Sequence, residues 1–174
     1  MRTYNADKIR NVALLGHSSC GKTTITEALL LNTKVTNRMG KVEDGNTVSD
    51  FDKEEKERHV SIGTSVIPIE YKDTKINFLD TPGYFDFVGE VYGALRVADS
   101  AVLVIDASSG IEVGTEKSWK YLEQRNMPRI IFINKLDKEN IKFDELLDSL
   151  RDRFGTKVIP FTLPIGKGEN IDGY

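Results

Sequence analysis

The sequence predicts an α/β fold: an open, mostly parallel sheet with helices on both faces and one antiparallel strand. Three observations carry this. Short apolar runs, such as residues 101–105 and 129–133, read as strands buried on both faces. Longer stretches between them place apolar residues at helical spacing. The two kinds of segment alternate along most of the 174 residues, as strand–helix–strand units do.

The elements follow in order. Residues 9–15 read as a strand ending at Gly16, and residues 23–31 as a helix with Ile25, Leu29 and Leu30 on one face. Residues 33–60 hold few large apolar side chains, several glycines and the charged run 52–58, so they read as a long mobile loop with solvated charge. A loop of that length in a compact domain is functional or disordered. Residues 66–71 and 75–79 flank Lys72-Asp73-Thr74 as a hairpin. Residues 85–98 have helical spacing through Phe87, Val91, Leu95 and Ala98. After the strand 101–105 come a helix over 112–124, on which Trp119 packs, and the strand 129–133. An amphipathic helix over 143–154 carries Leu146, Leu147 and Leu150. The last strand spans 158–163, interrupted by Pro160. In such sheets ligands bind outside the carboxyl ends of the strands.

Composition narrows the function classes. Twenty-four Lys+Arg against 27 Asp+Glu leave a net charge of −3, which excludes a chain-wide basic footprint; no direct DNA binding is expected. The lone Cys20 excludes an internal disulfide and favours a reducing compartment. No apolar stretch reaches the roughly 18 residues of a membrane span, and the first seven residues lack the apolar core of a signal peptide. A cytoplasmic, membrane-free monomer is the expectation.

Three motifs fall at strand ends. Gly16-His17-Ser18-Ser19-Cys20-Gly21-Lys22-Thr23 matches G-x-x-x-x-G-K-[ST] between a strand and a helix. Its glycines let successive backbone N–H groups of His17, Ser18, Ser19, Cys20 and Gly21, with Thr24 at the helix start, wrap a phosphate. Lys22 neutralises the terminal phosphates, and the Thr23 hydroxyl is a Mg²⁺ ligand. The chain is expected to have a P-loop NTPase fold. Asp80-Thr81-Pro82-Gly83 follows the strand 76–79: Asp80 is placed to hold Mg²⁺ through water, and Gly83 lets a backbone N–H approach the γ-phosphate. Asn134-Lys135-Leu136-Asp137 ends the strand 129–133, and the Asp137 carboxylate can accept from guanine N1–H and the exocyclic amine. Adenine offers no such donor pair, and an unpaired buried charge costs roughly 1–3 kcal/mol or more. A P-loop kinase or ATPase shares the first motif; Asp137 argues against it.

The order of these motifs resembles the GTP-binding domain of translation-factor GTPases, closest to the elongation factor G family with its ribosomal protection relatives. The likeness extends through Arg10-Asn11-Val12-Ala13, Gly40-Lys41-Val42-Glu43-Asp44-Gly45, Glu57-Arg58, Asp86-Phe87, Asp106-Ala107 with Gly110, and Thr115-Glu116. It implies Mg²⁺-dependent binding of GTP and GDP, ribosome-stimulated hydrolysis and a role in translation through the full-length protein.

The sequence departs from that family in three places. Ser61, in Arg58-His59-Val60-Ser61-Ile62, stands where the family has a Mg²⁺-binding threonine, and keeps the hydroxyl. Tyr84 stands where the family has a water-positioning histidine; with Lys22 and Gly83 it completes the expected catalytic set, and slow or partner-dependent hydrolysis follows. A GTP-dependent regulatory switch, or a protection protein that barely hydrolyses, is the other reading of Tyr84. Cys20, among phosphate-loop N–H groups, is a spacer for which a lowered pKa is conceivable. Arg58 is a candidate charge for the transferring phosphate, though solvated loop charge is the simpler reading. The Ser-Ala-like loop that completes the family's guanine pocket does not follow Asp137, and residues 158–166 resemble the start of an inserted subdomain. Residues 1–156 are therefore expected to form a GTP-binding domain lacking its last strand and final base loop. Residues 157–174 are expected to be the truncated start of the insert, and nucleotide binding to be weakened.

Overall fold

The computed structural model describes residues 2–167 and 170–173. The order is β1 (Ile9–Gly16), α1 (Lys22–Asn32), α2 (Lys53–Arg58), β2 (Ser65–Tyr71), β3 (Thr74–Asp80), α3 (Val88–Val97), β4 (Ser100–Asp106), α4 (Val113–Gln124), β5 (Arg129–Asn134), α5 (Phe143–Phe154), β6 (Ile165–Lys167) and β7 (Asn170–Gly173). Five strands form one sheet in the order β2-β3-β1-β4-β5. Its pairs are parallel except the β2–β3 hairpin. The register opposes Leu14 to Asp80, Gly16 to Val104 and Asp106 to Asn134, so the three motif-bearing ends lie along one edge.

Strand alternation divides the core in two. Ala13, Leu15, Leu103 and Ile105 point to one face, where Val91 and Leu95 of α3, Leu122 of α4 and Leu146 and Leu150 of α5 cover them. On the other face Leu30 of α1 packs on Ile67 and Ile69, with Ile76 and Phe78 beside them. The two-sided α/β architecture is therefore as expected.

Four local expectations are corrected. Residues 129–133 are not buried on both sides: Ile131 and Ile133 join the core, while Ile130 and Phe132 are 67% and 44% exposed. β5 is an edge strand, and α1 lies over the opposite half of that face, against β2 and β3. Residues 158–163 form no strand; Pro160 lacks the N–H a ladder needs, and the chain pairs later, as the β6–β7 ribbon. The charged run 52–58 is not an irregular solvated loop but α2, started by a capping box in which Asp52 accepts from Glu54 N–H and Glu55 accepts from Asp52 N–H. Residues 85–98 are broken into a 3-10 turn, Phe85–Phe87, and α3.

Candidate functional site

The phosphate loop turns sharply because Gly16 and Gly21 adopt φ of 147° and 101°, values that favour glycine. A Cβ on Gly21 would collide with Asn134 Nδ2, so the loop and the β5 end need that glycine to meet. The N–H groups of Ser18, Ser19, Cys20 and Gly21 find no protein acceptor among the described residues. An arc of free N–H groups at the start of α1 is the chemistry of an anion cradle. Lys22, buried at 6% exposure, folds its ammonium back onto Gly16 O (3.2 Å) and His17 O (2.8 Å). Thr24 stays exposed on the first turn of α1. His17 approaches Glu112, with Nε2–Oε1 at 3.5 Å, and its backbone abuts Gly114, where a Cβ would come within 2.8 Å of His17 Cα. Burial pushes the Cys20 thiol up, so the suggestion of a lowered pKa fails; the Lys22 charge opposes that rise without cancelling it.

Gly83 closes over this loop. A Cβ there would lie 2.6 Å from Ser18 Cα and 2.7 Å from Lys22 Nζ, so only glycine allows the approach. Tyr84 follows it at the surface, 44% exposed. Phe85 beyond it stacks under the Lys117 ammonium at 3.7 Å.

Between the phosphate loop and the β3 end lies a cluster of oxygen donors. Thr23 Oγ1 and Ser61 Oγ are 3.3 Å apart, and Ser61 Oγ donates to Asp50 Oδ1 at 2.7 Å. Asp80 is 1% exposed, and neither of its carboxylate oxygens has a hydrogen-bond partner among the described residues. Burial pushes it up to about 6, against the pull of the Lys22 charge and of the nearby Ser49 and Thr23 hydroxyls, which lie close but make no well-formed hydrogen bond to it. Asp50, buried at 4% exposure, is raised by burial too, with the Ser61 hydrogen bond opposing. A buried, orphaned carboxylate beside a second carboxylate and two hydroxyls fits a small hard cation with oxygen ligands, as Mg²⁺ is. Sequence reading missed Asp50. Its aspartate lies in a loop with no local pattern, and only the fold of residues 40–63 brings it to Ser61.

At the base end, Asn134 Nδ2 donates to Cys20 O at 3.0 Å and Lys135 Nζ to Ser19 O at 2.7 Å, tying the third motif to the first. Lys135 also pairs with Asp106 Oδ2 at 2.7 Å. Burial raises the Asp106 carboxyl, but hydrogen bonds from Lys135 and Ser108 outweigh it and hold the group at about 2. Asp137 is exposed, so the buried acceptor expected at the base motif is not found. The predicted residues thus converge on one edge, with Tyr84 at its margin.

Residues 7–167 match the model of the elongation factor Tu GTP binding domain. The chain belongs to that family. The chain is similar to an elongation factor G from Granulibacter bethesdensis, 40% identical over 99% of this chain and 25% of that protein's length. A mitochondrial ribosome-releasing factor 2 from Pongo abelii is 40% identical over 95% of this chain and 21% of its own. A solved structure from Thermus thermophilus superposes with a TM-score of 0.88 at 41% identity, over 93% of this chain and 24% of the other. The chain thus spans about a quarter or less of each relative's length. The family is one of GTP-binding domains, and the chain is similar to elongation factor G. No helix among the described residues is long and apolar enough to cross a membrane.

Proposed function

We propose that this chain binds Mg²⁺·GTP and hydrolyses it slowly, as the nucleotide-binding domain of an elongation factor G-like protein that acts on the ribosome. The observation that carries the metal is Asp80, a buried carboxylate with both oxygens free beside Lys22. Thr23 and Ser61 would hold Mg²⁺ through their hydroxyls and Asp80 from the β3 end, with Asp50 steering Ser61. The chemistry a metal held by these residues would supply is neutralisation of the terminal phosphate charge. The chain's own residues do the positioning. The free N–H arc of residues 18–21 cradles the phosphates, and Lys22 leaves its carbonyl partners to meet the terminal ones. Gly83 brings its N–H against the γ-phosphate. Asn134 and Lys135 lock the base motif to the cradle, and Asp137 selects guanine.

Phosphoryl transfer is mostly positioning and electrostatics, so the residue beside the attacking water matters. Tyr84 is half-exposed, and its ring is longer than histidine's. It favours weak turnover without a partner, and it supports the second reading, a GTP-dependent switch that barely hydrolyses. Steady-state GTP turnover of the natural chain and Tyr84→His, with and without ribosomes, separates these. Acceleration by Tyr84→His in either condition supports a tyrosine-limited reaction. No gain in any condition contradicts it.

A further inference from the structure

Residues 40–63 carry Asp50 and Ser61, yet they hold only one short helix and no strand. Their backbone is held by two buried glutamates. Glu27 is 1% exposed, and each carboxylate oxygen accepts from a loop N–H: Oε2 from Gly40 at 2.8 Å and Oε1 from Val48 at 2.6 Å. Glu55 is 3% exposed; Oε1 accepts from Ile62 N–H at 2.9 Å and Gly63 N–H at 3.1 Å, and Oε2 from Asp52 N–H. Neither glutamate forms a salt bridge among the described residues. Both spend their acceptors on loop backbone.

Their placement links them to the nucleotide. Glu27 lies four residues after Thr23 on α1, and residues four apart share a helix face. One face of α1 therefore meets the loop twice: at Gly40 and Val48 through Glu27, and at Ser61 through Thr23. Val48 lies two residues before Asp50, and Ile62 directly follows Ser61. The two clamps thus bracket the Ser61–Asp50 pair, one on each side in the chain.

We infer that Glu27 and Glu55 are positioning residues for the metal-bearing loop, holding Ser61 and Asp50 against Thr23 and Asp80 so that the loop favours the triphosphate over the diphosphate. This rests on the Mg²⁺·GTP reading above. A clamp that only supports folding would affect all nucleotides alike. A clamp that positions the loop would be felt where Ser61 acts, at the metal and the terminal phosphate.

Gly40 supplies a second handle. Its Cβ would lie 2.7 Å from Glu27 Oε2, 2.7 Å from Asn46 O and 2.8 Å from Thr47 Cα, so Gly40→Ala displaces the loop backbone at the clamp while leaving the carboxylate itself unaltered. The test measures affinity for a non-hydrolysable GTP analogue and for GDP across a Mg²⁺ titration, on the natural chain, Glu27→Gln, Glu55→Gln and Gly40→Ala, with a thermal melt of each. In the glutamine variants an NH₂ faces a backbone donor that has lost its acceptor. The expected result is a loss of triphosphate-over-diphosphate preference of about tenfold, a raised Mg²⁺ requirement, and GDP affinity within about threefold of the natural chain. Gly40→Ala should reproduce the Glu27→Gln pattern and decides the matter if Glu27→Gln does not fold. Retained preference in folded variants, or equal loss for both nucleotides in step with the melting temperature, overturns the positioning role alone. A natural chain with no Mg²⁺-dependent preference for the triphosphate overturns the proposed function with it.

Discussion

Asp80 concentrates the chemistry in one side chain. Its carboxylate is buried, lacks hydrogen-bond partners among the described residues, and is pushed up to about 6 mainly by burial. Such a group costs stability unless a cation meets it. Asp80→Asn should therefore leave the metal-free chain as stable or more so, while lowering Mg²⁺-dependent triphosphate affinity at least tenfold; paired melts and Mg²⁺ titrations check both. Asp137 makes a second prediction at this scale. Asp137→Asn exchanges an acceptor pair for a mixed amide, so GTP affinity should fall by about tenfold to a hundredfold while XTP binding improves, as competition titrations would read. The motif residues were legible because their roles depend on short spacing beside a strand end. Asp50, Glu27 and Glu55 were not, because each acts across a gap that only the folded loop closes.

Among the elements, those with strong apolar periodicity were legible, and those without an apolar stripe or whose burial depends on their neighbours were not. The apolar run of β4 and the leucines of α5 pointed to their structures directly. α2 was hidden because its six residues are all charged and only the Asp52–Glu55 capping box, a local hydrogen-bond device, starts it. Asp52→Ala should cost about 1 kcal/mol and weaken the loop rather than the sheet, which hydrogen exchange would resolve by segment. β5 was misread as fully buried because an apolar run does not reveal whether a helix covers each face. Its end is fixed by Lys135–Asp106. The Asp106 carboxyl is about 2 in the fold against an ordinary value near 4. A lowered carboxylate stabilises above the unfolded value and loses that stability as pH falls toward the folded one. Asp106→Asn should thus cost about 2 kcal/mol near neutrality, with the gap from the natural chain closing between about pH 4 and pH 2 in acid melts. It should also weaken guanine preference by freeing Lys135.

The whole molecule is a sheet whose parallel strand ends bring the three sequence motifs together on one edge, and that architecture was readable from the alternation of elements. One face is closed by α3, α4 and α5, and Leu103 is fully buried there, so Leu103→Ala should cost about 2–5 kcal/mol. Phe132→Ser, on the open face, should change stability far less, and denaturant unfolding of the two variants compares them. Guanine selection and metal dependence are read together by competitive binding of GTP and ATP to this chain, with Mg²⁺ present and with Mg²⁺ chelated. GTP should bind about tenfold to a hundredfold more tightly than ATP, and chelation should weaken GTP more than GDP. Equal binding of ATP and GTP, or GTP binding indifferent to Mg²⁺, would refute a Mg²⁺-dependent guanine site on this edge.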